Sequence, residues 1–422
     1  MRAKKENPEE ALDIPLRDDG QFYTFDTLFD DQKEVVAVIM DRLMQWMNST
    51  NLATFKPLRM VLNGPAGTGK TVVINTIVTL IRQIFNENDA VQVCAPTGVA
   101  AFNAGGETLH HAFKVTPGMD YDPHSSSEND KKELATRMRN LLCMIIDERS
   151  LLDSKLLGTA EQKMRETAFD GNLSHLSWGN VPIIVLVGDD YQLPGVDEGP
   201  LDVLFSKKSG KMLENGRSVL KECASFVMSL KSSKRIQAKK EHDKILMNKL
   251  RVAEELNDSE VARMLNLHLD EIELKHGEKE VQKIKKDAIY LFFKNAKKNE
   301  KNLEMLVKEC SKENPVAICR TNSSGIRNGF AVKKHFLGSS DIPDAAMLCI
   351  GCKVAMSNKN WCPRWGLHNG AVGTVQDIVF ANNKSPNQGD LPLYVVVEFP
   401  NYKGPTWDTN NPNVSQQNAR NV

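Results

Sequence analysis

Residues 64–71, Gly-Pro-Ala-Gly-Thr-Gly-Lys-Thr, fit the pattern G-x-x-x-x-G-K-[ST] at every fixed position. Gly64, Gly67 and Gly69 let the backbone wrap closely around an anion, so that the N–H groups of this loop, Thr68 included, face phosphate oxygens. Lys70 has the charge and reach for the β- and γ-phosphates of ATP, and the Thr71 hydroxyl suits a magnesium ion. A second chemical pair, Asp147-Glu148, ends the apolar run Leu141 to Ile146. Phosphoryl transfer to water needs both carboxylates. Asp147 would hold Mg2+ through its water shell, and Glu148 would orient or deprotonate the attacking water.

These groups act together only if folding brings them to one place, and the flanking residues describe how. Met60-Val61-Leu62 reads as a buried strand entering the glycine loop, and Val72 to Phe85 carries apolar residues at helical spacing beyond it. Val91 to Ala95 is a strand that runs into Pro96-Thr97-Gly98. Pro182 to Val187 is another, running into Gly188-Asp189-Asp190-Tyr191-Gln192-Leu193-Pro194. Short apolar strands that each end in a polar motif describe a parallel sheet with its ligands beyond the strand ends. Upstream, Phe25 to Asp31 closes in an acidic turn. From Gln32 an amphipathic helix runs to about Met47, with Val35, Val36, Ile39, Leu43 and Met47 on one face.

The 422 residues suffice for two or three domains, each with its own core. Lys+Arg and Asp+Glu balance at 54 each, so bulk charge gives no nucleic-acid signal and any basic path is local. No run of ~18 apolar residues suggests a membrane span. Residues 1–20 are charged and contain Pro8 and Pro15, without the apolar core of a signal peptide. Eight scattered cysteines, among them Cys94, Cys143 and Cys319 in apolar runs, suit reduced thiols inside a cell. Cys349-x-x-Cys352 followed by Cys362 invites a zinc reading. The absence of a second C-x-x-C pair or a histidine pair at finger-like distance argues against it.

The stretch 95–113, APTGVAAFNAGGETLHHAF, resembles the single-strand-contacting motif of the petite-integration-frequency (PIF-type) DNA helicases, RecD relatives in the 5′-to-3′ branch of helicase superfamily one. The resemblance covers about residues 25 to 405, with five motifs in family order. It implies an α/β fold with two RecA-like P-loop domains, the second incomplete, and a small SH3-like β-barrel insertion. It also implies an ATP- and Mg2+-dependent DNA helicase that translocates on single-stranded DNA and acts on junctions or structured DNA, in repair, recombination or telomere maintenance. A monomer placed in the nucleus or mitochondrion is expected. By the same resemblance Gln32 reads the adenine edge, Gln192 senses the γ-phosphate and Arg235, in Leu230-Lys231-Ser232-Ser233-Lys234-Arg235, reaches it as an arginine finger. Thr97, Gly98, Asn103, His110, Asn295 and Asn369 become the DNA contacts. Two departures stand out: Arg149-Ser150-Leu151 follows the acidic pair where the family has Ile-Ser-Met, and Lys294-Asn295 stands where it has Thr-Asn.

The implied organisation is a flexible arm (1–24), a first motor domain (25–215), a second (216–345), the barrel (346–405) and a polar tail (406–422). Residues 114–136 form an insertion that is either the family's strand-separating wedge or a surface loop. Ile289 to Asn295 reads as the strand opening the second motor domain. Asn369-Gly370 between apolar runs is a hairpin signal, and Leu393 to Phe399 a later barrel strand. Trp361 and Trp365 are either base-stacking groups or barrel core. The Thr-x-His-Lys-Ser-Gln-Gly-like motif that follows the barrel in the family has no counterpart in 404–422. The sequence therefore reads as a fragment, a truncated gene model or a product without motor function. That leaves a DNA- and ATP-binding protein without unwinding activity as the alternative.

Overall fold

The computed structural model describes residues 12–17, 19–51, 54–116, 127–168, 173–192, 209–231, 241–265, 268–320, 345–356, 361–362, 365–386 and 390–404. The chain divides into two compact units, Met1–Glu255 and Leu256–Val422. In the first, the elements run α1 (Asp30–Met47), β1 (Leu58–Asn63), α2 (Lys70–Phe85), β2 (Val91–Ala95), α3 (Gly98–Asn103), β3 (Glu107–Thr108), α4 (Leu109–Ala112), α5 (Glu128–Met138), β4 (Cys143–Ile146), α6 (Ser154–Glu166), β5 (Ile183–Gly188), α7 (Lys211–Cys223), β6 (Val227–Ser229) and α8 (Glu241–Arg251). The six strands form one parallel sheet in the order β3-β2-β4-β5-β1-β6.

A parallel sheet is stable only with both faces covered, and the side-chain period of two decides what covers each. Leu58, Met60 and Leu62, Cys143 and Ile145, and Ile183, Val185 and Val187 face one core with Val35, Val36, Ile39 and Leu43 of α1 and Val73, Ile74, Ile77 and Ile81 of α2. Val61, Met144, Ile146, Ile184 and Leu186 face the other, built from Leu134 and Met138 of α5, Leu156, Leu157, Ala160 and Met164 of α6, Val219 of α7, and Trp178. Helices α6 and α7 cross at Gly158 and Gly216. A Cβ on Gly216 would lie 1.8 Å from the Ser154 carbonyl oxygen, so only glycine permits this approach. Burial also pushes the Cys94 thiol up to about 12, which leaves it inert inside the sheet.

The sheet reaches past residue 215, because β6 pairs with β1. Part of the arm expected to be flexible is tied down. Leu16 and Phe22 form an antiparallel bridge, the Asp13 N–H donates to Asn88 Oδ1 at 2.8 Å, and Arg82 pairs with Asp13. Of the insertion at 114–136, residues 117–126 lie outside the described residues. Its second half is α5, fastened to β3 by Arg137 on Glu107.

The second unit holds α9 (Asp258–Leu265), α10 (Leu269–His276), α11 (Glu278–Asp287), α12 (Asn295–Glu309), a two-stranded antiparallel sheet of β7 (Ala317–Arg320) and β8 (Ala345–Leu348), and an antiparallel sheet ordered β11-β10-β9 from β9 (Lys353–Ala355), β10 (Val372–Val379) and β11 (Tyr394–Glu398). The stretch expected as a strand at Ile289–Asn295 is not one. Residues 289–293 have no strand partner among the described residues, and Asn295 opens α12. A strand is defined by its partner, so apolar alternation alone does not make it. Asn369-Gly370 is a turn leading into β10, with Gly370 at φ +88°, but β10 pairs with β9 across a long connection and not through a two-residue hairpin. Trp365 packs edge-on against Tyr402, while Trp361 is exposed. Cys349 and Cys352 are buried at the start of this sheet, and no group of three or more His, Cys, Asp or Glu converges among the described residues.

Candidate nucleotide-binding and hydrolysis site

The functional groups of the first unit converge because the carboxyl ends of neighbouring strands are bonded in three pairs, β1 with β5, β6 with β1 and β4 with β2. Gly64 N–H donates to the Gly188 carbonyl at 3.0 Å, Leu230 N–H to the Asn63 carbonyl at 2.8 Å, and Asp147 N–H to the Cys94 carbonyl at 2.8 Å. At this carboxyl edge lies a cleft of about 710 Å3, lined by Gln32, Gly67, Thr68, Gly69, Lys70, Thr71, Asp147, Glu148 and Gln192, with Thr27, Phe29, Ala66, Val72, Ala100 and Asn103.

The loop between β1 and α2 carries Gly67 at φ +85° and Gly69 at φ +80°. The positive φ at Gly69 favours glycine, and a Cβ there would stand 2.5 Å from Gln32 Nε2, so a side chain would also displace the Gln32 amide. Lys70 Nζ donates to the Gly64 carbonyl at 2.7 Å, folded across the cradle where phosphate oxygens would sit. Gln32 is 4 % exposed and committed at both ends. Its Oε1 accepts from Phe29 N–H at 3.0 Å, and its Nε2 donates to the Thr68 carbonyl at 2.8 Å. It is the third residue of α1, which begins at Asp30 and not at Gln32 itself. One N–H and one lone pair of the amide remain for a base.

Asp147 follows β4 and is 7 % exposed. Burial pushes its carboxyl up to about 6. The adjacent Glu148 charge also raises it, and the Glu148 N–H and the Lys70 charge offset part of the rise. Glu148 adopts the left-handed conformation, φ 52° and ψ 49°, with its N–H on Asp147 Oδ1 at 2.8 Å. A non-glycine residue in that region costs about 1 kcal/mol or more, a strain that turns the two carboxylates to one cleft. The donor set fits a magnesium ion: Asp147, a buried carboxyl whose ionised form burial leaves in need of a counter-charge, and Thr71, a hydroxyl-bearing residue, line the same cleft as Lys70.

The other expected site residues divide by position. Gln192 lines the cleft, in a turn closed by its N–H on the Asp189 carbonyl at 3.1 Å. Arg235 lies outside the described residues. Thr97 caps α3, its hydroxyl accepting from Ala100 N–H at 3.2 Å, with Gly98 buried behind it. Asn103, expected on the DNA side, lines the nucleotide cleft at the end of α3. His110 is half-buried, and burial lowers its pKa despite nearby Asp153. Asn295 and Asn369 belong to the second unit and are exposed there.

Three groups escaped sequence reasoning. Phe29 lines the cleft, and only its place in the turn before Gln32 hinted at this. Arg149, the departure from the family pattern, is buried and points one guanidinium nitrogen at Asn63 Oδ1 (2.8 Å) and Asp190 Oδ1 (2.6 Å), tying the ends of β1 and β5. Arg251 holds Asp189, with no local signal at all in its helix.

The family model of the PIF1-like helicases matches residues 27–251, the span that contains the whole cleft. The chain belongs to the PIF1-like helicase family. The ATP-dependent DNA helicase RRM3 of Saccharomyces cerevisiae is 31 % identical over 154 residues, 36 % of this chain and 20 % of RRM3. The chain therefore spans about a fifth of the length of that relative. The Pif1 helicase of Candida albicans shares the fold, with a TM-score of 0.59 at 23 % identity over 89 % of this chain and 76 % of that one. A Bacteroides Pif1 bound to single-stranded DNA does so with a TM-score of 0.54 at 21 % identity over 89 % and 72 %. The family match places the PIF1-like signature on the sheet and cleft of the first unit, where the phosphate loop, the acidic pair and Gln192 meet.

Proposed function

We propose that this chain is the ATP-hydrolysing part of a PIF1-type DNA helicase, moving 5′-to-3′ along single-stranded DNA. The observation that carries this reading is the meeting of Lys70, Thr71, Asp147, Glu148 and Gln192 in one cleft at the carboxyl edge of a parallel sheet. ATP would bind with its phosphates in the loop 64–71 and its base toward Phe29 and Gln32. Lys70 would leave the Gly64 carbonyl for the phosphates, so ligand binding replaces a bond the free protein already makes. Magnesium held by Thr71 and Asp147 would neutralise phosphate charge. Glu148 would orient and deprotonate water, and Gln192 would register the γ-phosphate. The single-strand path is read from the stretch 97–110, and its support is the relation to a Pif1 bound to single-stranded DNA. Nuclear or mitochondrial DNA, and work in repair, recombination or telomere maintenance, are what the family resemblance implies.

The test is ATP turnover with and without single-stranded DNA, on the chain as written and on Lys70→Ala, followed by unwinding of a forked duplex. DNA-stimulated turnover that falls by at least ~100-fold in Lys70→Ala supports the reading, since the lysine acts where charge develops. DNA binding without turnover would assign the chain to the non-motor alternative. Turnover indifferent to DNA would refute a helicase.

A further inference from the structure

The turn that carries Gln192 is held by arginines from two other elements. Arg251, the last residue of α8, places Nη2 2.6 Å from Asp189 Oδ1 and Nε 3.3 Å from Asp189 Oδ2. Its guanidinium carbon lies 4.4 Å from the centroid of the Tyr191 ring, which limits rotation of the planar group. Asp189 is 3 % exposed and also accepts from Tyr191 N–H at 3.2 Å. Burial by itself would raise the Asp189 carboxyl. The Arg251 and Tyr191 hydrogen bonds, with the charges of Arg251 and Lys70, hold it below its ordinary value instead. Arg149 pairs with Asp190 in the same turn and reaches Asn63. Arg251 does not line the cleft; it meets the turn at Asp189 and Tyr191.

We propose that Arg251 is a positioning residue: acting through Asp189, it fixes the 189–192 turn so that Gln192 faces the γ-phosphate. The proposal rests on reading the cleft as an ATP site. Without the guanidinium, Asp189 would be a buried carboxylate lacking its counter-charge, and the turn would rearrange to hydrate it. Lysine supplies the charge but not the fork or the stacking plane, so it restores the arrangement only in part.

The experiment measures dissociation constants for ADP and for a non-hydrolysable ATP analogue, both with Mg2+. The proteins are the unsubstituted chain, Gln192→Ala, Arg251→Lys, Arg251→Ala and Arg251→Ala combined with Gln192→Ala, with Lys70→Ala as control. Arg251→Ala is expected to lower the preference for triphosphate over diphosphate roughly tenfold, with ADP affinity held within about twofold. Arg251→Lys is expected to fall between. Adding Arg251→Ala to Gln192→Ala should change the preference no further, because one acts through the other. Additive losses, an unchanged preference, or equal weakening of both nucleotides would overturn the proposal. If Arg251→Ala does not fold, Arg251→Lys with and without Gln192→Ala decides the matter by the same criteria. An unsubstituted chain that binds no nucleotide, or binds it without needing Lys70, would overturn the reading of the cleft and this proposal with it.

Discussion

Asp147 shows how a single buried carboxylate is made useful at a cost to the fold. Its proton leaves at about 6 in the folded chain against 3.8 ordinarily. Between those values the folded state binds the proton more tightly than the unfolded one, so the stability contributed by this group falls as pH rises from about 4 to about 6. Above pH 6 the cost is constant; below pH 4 it vanishes. Asp147→Asn, which keeps an oxygen for the Glu148 N–H, is therefore expected to stabilise the metal-free chain by ~1–3 kcal/mol at pH 7.5 and by nothing near pH 4. Urea unfolding at the two pH values checks this. In the proposed site the same protonation would remove a magnesium ligand, so nucleotide affinity in Mg2+ should weaken as pH drops through about 6. That pH dependence should be absent in Asp147→Asn.

At the scale of elements, the site depends on strands that end level and on helices that can approach closely. The crossing of α6 and α7 brings Gly216 against the Ser154 carbonyl, and Gly158 against the Met212 carbonyl, with no room for a side chain. Gly216→Ala would gain about 1 kcal/mol of helix propensity. Forcing the helices apart over a packed core costs ~1–3 kcal/mol per site and disturbs every contact along the crossing. With backbone carbonyl oxygen in the way the cost falls toward the upper end of that range, and a net loss of stability of up to about 2 kcal/mol by denaturant unfolding is the expected outcome. Arg149 works at the same scale, joining the ends of β1 and β5 at Asn63 and Asp190. Arg149→Met keeps the apolar stem and removes the bridge. It should weaken nucleotide binding more than it lowers the midpoint of unfolding, measured by titration and melting of the same sample.

For the whole molecule, the two compact units predict divisible thermodynamics. The cleft residues all lie within Met1–Glu255. A ligand stabilises only what it binds, by ~2.7 kcal/mol at about 100 times its dissociation constant. Calorimetry with ADP and Mg2+ is thus expected to move one unfolding transition upward and leave a second in place. A single transition that moves as a whole would show that the units unfold together. Among the described residues no helix is long and apolar enough to cross a membrane.

The phosphate loop, the acidic pair and the apolar strands before them were legible in the sequence, because each is a local device whose spacing encodes its chemistry. Glycine is favoured at Gly69 for reasons of backbone conformation, and Ile146 must be apolar because both faces of a parallel sheet are covered. Gln32 and Gln192 became legible through the family resemblance. Only the tertiary structure decided what lies far apart in the chain: Asp189 against Arg251, Asn63 against Arg149, Asn103 at the cleft with Lys70 and Asp147, and α1 gripping the Thr68 carbonyl through Gln32. An arginine on a helix and an apolar run such as 289–293 look the same in sequence whether or not a partner exists. The partner is set by how the sheet orders its strands, and sequence spacing carries no record of that order.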